Sequence, residues 1–218
     1  MNLTMIELYS GSGTVARAFA MKGFKTLTVD HDEKLTPDFV ADITTTDSDN
    51  YRELGFDRPG FIWASPDCRK WSWASGARNE FRAANTEPLS DDAIEAQEMV
   101  KHTLQLIEEL EPTYWVLENP DHGALKDQAF MKKYPNTRVM YCAYGHDYQK
   151  RTRLWGNFPP SWIPKTTCSH IRHKNIKTYK DAYHRSMVPF RLALDLVYAS
   201  LEDKGLTLVN LADMGFEL

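Results

Sequence analysis

Four short stretches of this 218-residue chain hold side chains that can do chemistry. Ser65-Pro66-Asp67-Cys68 places a thiol just past an apolar run and a proline turn, with Arg69 and Lys70 beside it. Charged neighbours keep such a thiol out of an apolar pocket, and cations favour the thiolate that nucleophilic chemistry requires. Asp67 opposes them, which leaves the sign of the net effect open. Leu117-Glu118-Asn119-Pro120 puts a carboxylate at the end of another apolar run. Gln149-Lys150-Arg151-Thr152-Arg153 spaces two arginines so that both point to one face of an extended segment. The fourth stretch, residues 7–13, is Glu-Leu-Tyr-Ser-Gly-Ser-Gly, whose glycines let a ligand approach the backbone. Asp30 and Asp42 close two further apolar runs, where one carboxylate suits the hydroxyls of a ribose and the other an adenine amino group. Each stretch alone has an ordinary structural explanation, such as a tight turn, a core cysteine, a surface acid or a solvated charge run. Together they favour an adenosine-containing cofactor and a nucleophilic cysteine.

These residues need elements to position them. Apolar runs predict strands over 3–9, 25–29, 39–43, 61–64, 114–117 and 137–143, and helical periodicity predicts helices over 15–21, 91–110 and 190–201. Ser90 is the expected cap of the second helix, and Pro112 follows its end. Strands alternating with helices predict an α/β fold with a parallel, doubly wound sheet and functional loops at the strand carboxyl ends. Asp30, Asp42, Cys68 and Glu118 all fall at or just past such ends. Residues 69–89 are polar and aperiodic, and are expected to be a mobile lid rather than packed structure.

With 42% hydrophobic residues, the chain can bury one core, and a single domain over 1–218 is expected. It holds no apolar stretch of about eighteen residues and no signal-peptide pattern, so a soluble, cytoplasmic protein with no membrane association is expected. Three cysteines at irregular spacing argue against a disulfide framework. Cys168, His170 and His173 are metal-ligand types, but their spacing is poor and no fourth ligand is evident, so no metal is expected. The net charge of −4 hides a segregation: residues 149–191 hold ten Lys and Arg against Asp181 alone, and the remainder carries −13. Interleaved with His and aromatic rings, that basic stretch suits phosphates and bases.

In combination and in order, these motifs resemble the DNA (cytosine-5) methyltransferase family. The glycine turn looks like its cofactor motif, Pro66-Asp67-Cys68 its proline-cysteine nucleophile, Glu118-Asn119 its glutamate-asparagine pair, and Gln149, Arg151 and Arg153 its Q-x-R-x-R element. Arg185 to Pro189 and the helix after it are similar to the C-terminal element that returns to the cofactor. The resemblance implies a Rossmann-like S-adenosylmethionine-dependent methyltransferase fold, with a mostly parallel sheet and helices on both faces. It implies that Cys68 adds to carbon 6 of cytosine, Glu118 bonds the N3 edge, Arg153 holds the carbonyl oxygen and Arg151 organises the catalytic loop. The S-adenosylmethionine contacts it implies are Tyr9, Ser10, Gly11, Ser12, Gly13, Thr14, Asp30, His31, Asp42, Ile43, Pro66 and Ser186. Arg69, Lys70, Ser72, Gln149, Lys165, Arg172 and Lys174 are the expected nucleic-acid contacts.

Departures from the family are Asp67, Pro120 and Ser186, the last beside Arg185, which keeps a modified, more acidic cofactor as an alternative. A short basic insert over 154–184 stands where the family has a target-recognition domain. DNA, double- or single-stranded, is then expected to be bound with short or relaxed sequence preference, unless a partner subunit supplies recognition. A phage or restriction-modification setting suits an enzyme this small. RNA or a free cytosine nucleotide as substrate, or a catalytically inactive nucleic-acid-binding homologue, are the remaining alternatives.

Overall fold

Runs such as Met5-Ile6 and Phe61-Ile62-Trp63-Ala64 carry apolar side chains on both faces of a strand, which demands cover on both sides. A computed structural model, describing residues 3–72, 80–82, 86–170, 172–175 and 182–206, provides it. Its seven-stranded sheet comprises β1 (Thr4–Leu8), β2 (Lys25–Asp30), β3 (Phe39–Val40), β4 (Phe61–Ala64), β5 (Tyr114–Pro120), β6 (Asn136–Met140) and β7 (Arg151–Asn157). The spatial order is β3-β2-β1-β4-β5-β7-β6. All pairings are parallel except those of β7, which runs antiparallel to both its neighbours.

Helices α1 (Thr14–Ala20) and α5 (Phe190–Glu202) cover one face, packing Val15, Phe19, Leu192 and Leu196 on Met5, Phe61, Trp63 and Val116. On the other face α2 (Ser48–Glu53) and α3 (Asp91–Leu110) cover Ile6, Leu8, Ile62 and Leu117. A short α4 (Ala182–Ser186) precedes α5. Each large side chain buried this way contributes about 1.5–3 kcal/mol of transfer free energy. The α/β fold expected from the alternation is present, and Ser90 caps α3 by accepting from Ala93 N at 3.1 Å.

The structure corrects several boundaries. Residues 41–43 leave the sheet because Asp42 caps a single 3-10 turn, Ile43–Thr45. The sixth strand stops at Met140, and Tyr141–Tyr144 form another such turn. Neither α2 nor β7 is expected from periodicity, and 154–157, assigned above to the basic insert, complete β7. The described part of the expected lid is packed: Trp71 and Phe81 are buried, stack with centroids 4.7 Å apart, and join α3 in a core cluster. Among the described residues no helix is long and apolar enough to cross a membrane.

Candidate active site

At the carboxyl ends of β1 and β2 the chain folds around Asp30. Tyr9, Gly11 and Gly13 take left-handed φ values of 57°, 50° and 61°, a conformation that glycine adopts without strain. The buried Asp30 carboxylate accepts from Gly11 N at 3.0 Å and from Asp32 N at 3.1 Å, one oxygen to each, so the oxygen bonded to Gly11 keeps a lone pair for a ligand hydroxyl. The exposed His31 ring lies 3.3 Å from the same carboxylate. Ser10 is buried and bonds the β2 backbone, while Ser12 and Thr14 hydroxyls bond each other at 2.7 Å. Burial raises the Tyr9 hydroxyl, against the lowering effect of its bond to Thr103.

Two expected cofactor residues are engaged internally. Asp42 accepts from the Thr44 amide and hydroxyl, bonds that lower its pKa, and Ile43 is buried in the core. Glu7, buried at the centre of β1, accepts from Ala16 N at 2.6 Å and Val15 N at 3.4 Å at the start of α1. Burial pushes its carboxyl up to about 8. Because Glu7 occupies those amides, the turn does not present the free helix N-terminus that a pyrophosphate uses. The donor set therefore fits a phosphate-free adenosine cofactor such as S-adenosylmethionine.

The loop after β4 carries Cys68, and two bonds fasten it to the end of β5 and to the loop that follows. Asn119 Nδ2 donates to Pro66 O at 3.1 Å, and Ala124 N donates to Trp71 O at 2.8 Å. Gly123 allows the second, since a Cβ there would sit 2.7 Å from Trp71 O. Ser72 forms an isolated bridge with the same glycine. Burial raises the Cys68 thiol above its ordinary pKa; Lys150 lowers it, and Glu118 and Asp67 raise it further. This resolves the sign left open by the sequence and corrects its cause. Arg69 is paired with Asp67 at 2.6 Å, and Lys70 with Glu80 and Asp92, and the cation that acts most strongly on the thiol is Lys150.

Lys150 and Tyr141 surround the buried Glu118. The Lys150 ammonium lies 3.6 Å from Glu118 Oε1 and 4.7 Å from the centroid of the Tyr141 ring, whose hydroxyl donates to Glu118 Oε1 at 3.1 Å. Sequence reasoning passed over both; the available signal was the position of Lys150 inside the arginine element. Arg151 and Arg153 do share one face of β7, as expected from their alternation, but it is the face away from Glu118. Arg153 stands opposite Asn119 while Leu154 stands opposite Glu118. The Arg153 guanidinium is held by the buried Asp121 at 2.6 Å and by Asn136. Arg151 is exposed.

The remaining expected contacts spread over the surface. Gln149 and Arg172 are exposed, Lys165 pairs with Asp195 at 2.8 Å, and Lys174 pairs with Asp147 at 2.6 Å. Ser186 is exposed and donates to Tyr183 O. Lys177 and Lys180 lie outside the described residues. Cys142 brings a fourth side chain of metal-ligand type to Cys168, His170 and His173.

The chain matches no protein-family model. It is 30% identical over 169 residues to a probable DNA (cytosine-5)-methyltransferase of Frog virus 3 (isolate Goorha), covering 75% of this chain and 74% of that protein. Its fold resembles an Entamoeba histolytica methyltransferase at a TM-score of 0.53 and 12% identity, over 78% of this chain. It also resembles a DNA modification methyltransferase encoded within an E. coli prophage at 0.50 and 16% identity, over 77% of this chain. The chain spans 58% and 52% of the lengths of those two structures.

Proposed function

The chain belongs to the DNA (cytosine-5)-methyltransferase family, and on that premise we propose that this methyltransferase moves a methyl group from S-adenosylmethionine to carbon 5 of cytosine in DNA, with Cys68 as nucleophile. The observation that carries this reading is the fastening of the Cys68 loop to the end of β5, which carries Glu118, and to the loop after it, at Pro66–Asn119 and Trp71–Ala124. Two reacting groups on one frame meet the positioning requirement of attack and proton management at a single ring.

Carbon 5 of cytosine becomes nucleophilic once a thiolate has added to carbon 6. Cys68 makes that addition, losing its proton first, and Lys150 is the cation that favours the thiolate. Glu118, held by Tyr141 and Lys150, faces the N3 edge of the ring and stabilises its protonated form. When bound, S-adenosylmethionine supplies an electrophilic methyl on a sulfonium. Asp30 accepts the ribose hydroxyls, and Glu7 keeps phosphates from the start of α1. Loss of the carbon 5 proton then expels Cys68. Because Arg153 is tied to Asp121 and Asn136, its part is to brace β7 against β6 rather than to hold the base.

A second reading, cytosine in RNA or in a free nucleotide, is favoured by the internal pairing of Lys150, Arg153, Lys165 and Lys174, which spends cations that a duplex would otherwise meet. One assay separates the two. The protein is incubated with S-adenosylmethionine and, in turn, duplex DNA, single strands, RNA and cytidine nucleotides, and the products are digested and read by mass spectrometry. 5-Methylcytosine from DNA that disappears in Cys68→Ser is expected; product from RNA or nucleotide alone would move the substrate, and product retained by Cys68→Ser would remove the nucleophile.

A further inference from the structure

Away from Cys68 and Glu118, four side chains of metal-ligand type converge from two segments far apart in sequence. Cys142 is buried in the turn that follows β6, while Cys168, His170 and His173 come from the segment after β7. Cys168 Sγ lies 2.9 Å from His170 Nδ1 and 3.2 Å from His173 Nε2, and one ligand atom from each of the four residues falls within 4.8 Å of all the others. The two imidazoles stand nearly perpendicular, 84° apart with centroids at 5.7 Å, so each turns a ring nitrogen toward the sulfur instead of stacking on the other. The His170 amide also points at Cys168 Sγ, at 3.3 Å, a donor suited to a thiolate.

The geometry points to a structural zinc ion bound by Cys142, Cys168, His170 and His173. Zinc bonds of about 2.3 Å to sulfur and 2.0–2.1 Å to nitrogen give a tetrahedron with edges of roughly 3.3–3.8 Å, so ligand shifts of about half an ångström complete the shell. Two thiols and two imidazoles in a compact set select zinc over harder cations. Four protein ligands close the shell and leave no position for a reactive water, which makes the role structural. Binding sends two thiol protons to solvent.

The fold gives such an ion something to do. Residues 158–170 and 172–175 form neither helix nor strand and bury little beyond Trp162, so apolar packing alone holds them weakly. The ion would fasten this segment to the turn whose first residue, Tyr141, donates to Glu118. A cleft of about 460 Å³ lined by Gly145, His146, Asp147, Arg172 and Lys174, together with two of the ligands, opens beside it.

The test uses the full chain, purified under reducing conditions without added metal, in a Cys68→Ser background so that the reactive thiol cannot bind metal. Mass spectrometry of the gel-filtered protein is expected to find one zinc per chain. Cobalt(II) added to the stripped protein is expected to give the intense visible bands of a tetrahedral site with thiolate charge-transfer absorption. His170→Ala and His173→Gln, whose positions are not fully buried, are expected to keep the circular dichroism of the sheet. Each should weaken cobalt binding by at least the roughly tenfold that loss of an outer-shell partner costs. A metal-free chain whose cobalt spectrum lacks those bands would overturn the assignment. So would bands indifferent to both histidine variants, or a Cys142–Cys168 disulfide that persists in glutathione.

Discussion

Lys150 works against the burial that raises the Cys68 thiol, because it is the cation with the largest influence on the sulfur. Replacing it removes the largest influence that opposes burial, Glu118 and Asp67. In Lys150→Gln the pH midpoint for iodoacetamide alkylation of Cys68 is therefore expected to move upward, and an unchanged midpoint would show that the ammonium does not act on the thiol. At this scale Cys68 and Glu118 were legible because each follows an apolar run at a strand end. Lys150 and Tyr141 were not, since they reach Glu118 only after β6 and β7 have folded back onto β5. Arg69 and Lys70 adjoin the thiol along the chain, but in space they pair with Asp67, Glu80 and Asp92, and Lys150 is the stronger influence on the sulfur.

The elements were read well where hydrophobic runs are continuous, as in β1, β4 and β5, because burial on both faces leaves a dense apolar signal. β7 lacks that signal because Arg151, Arg153 and a glycine near its end interrupt the apolar run. That glycine has a demanding position: Gly156 has φ 154°, and a Cβ there would lie 1.9 Å from Trp115 O. Gly156→Ala is expected to cost about 3 kcal/mol or more, read as a fall in urea midpoint, since both backbones must separate. Gly123→Ala should act differently. Its clash is with the carbonyl that fastens the Cys68 loop, so methyl transfer is expected to drop more than tenfold with a smaller loss of stability; equal losses of both would place the glycine in general packing instead.

For the molecule as a whole, charge placement matters more than the total. Of the ten cations in 149–191, Lys150, Arg153, Lys165 and Lys174 meet carboxylates that all come from outside the stretch, which is why a count along the sequence overstates its field. Those pairings leave less charge for phosphates, so the slope of log K against log salt for duplex DNA is expected to be shallower than the about −9 that ten unpaired cations would give, measured by titration at several salt concentrations. Stability should carry the mark of Glu7. Its carboxyl titrates at about 8 when folded and at 4.5 otherwise, so the folded state holds the proton more tightly and loses stability as pH rises between those values. Each pH unit of that window is worth roughly 1.4 kcal/mol at most. Glu7→Gln is expected to flatten the fall in melting temperature from pH 5 to pH 8, and parallel curves would acquit the residue.

The bonds from Asn119 to Pro66 and from Ala124 to Trp71 carry a mechanical consequence. A jaw whose two teeth are cast in one piece cannot grip by closing. Whatever enters between Cys68 and Glu118 must travel the whole distance itself and leave by the same route, so the cost of entry and exit falls on the guest. Heat or pressure that loosens one of these loops must loosen the other, and exposure of the thiol and proteolytic nicking beyond Asn119 should rise in step.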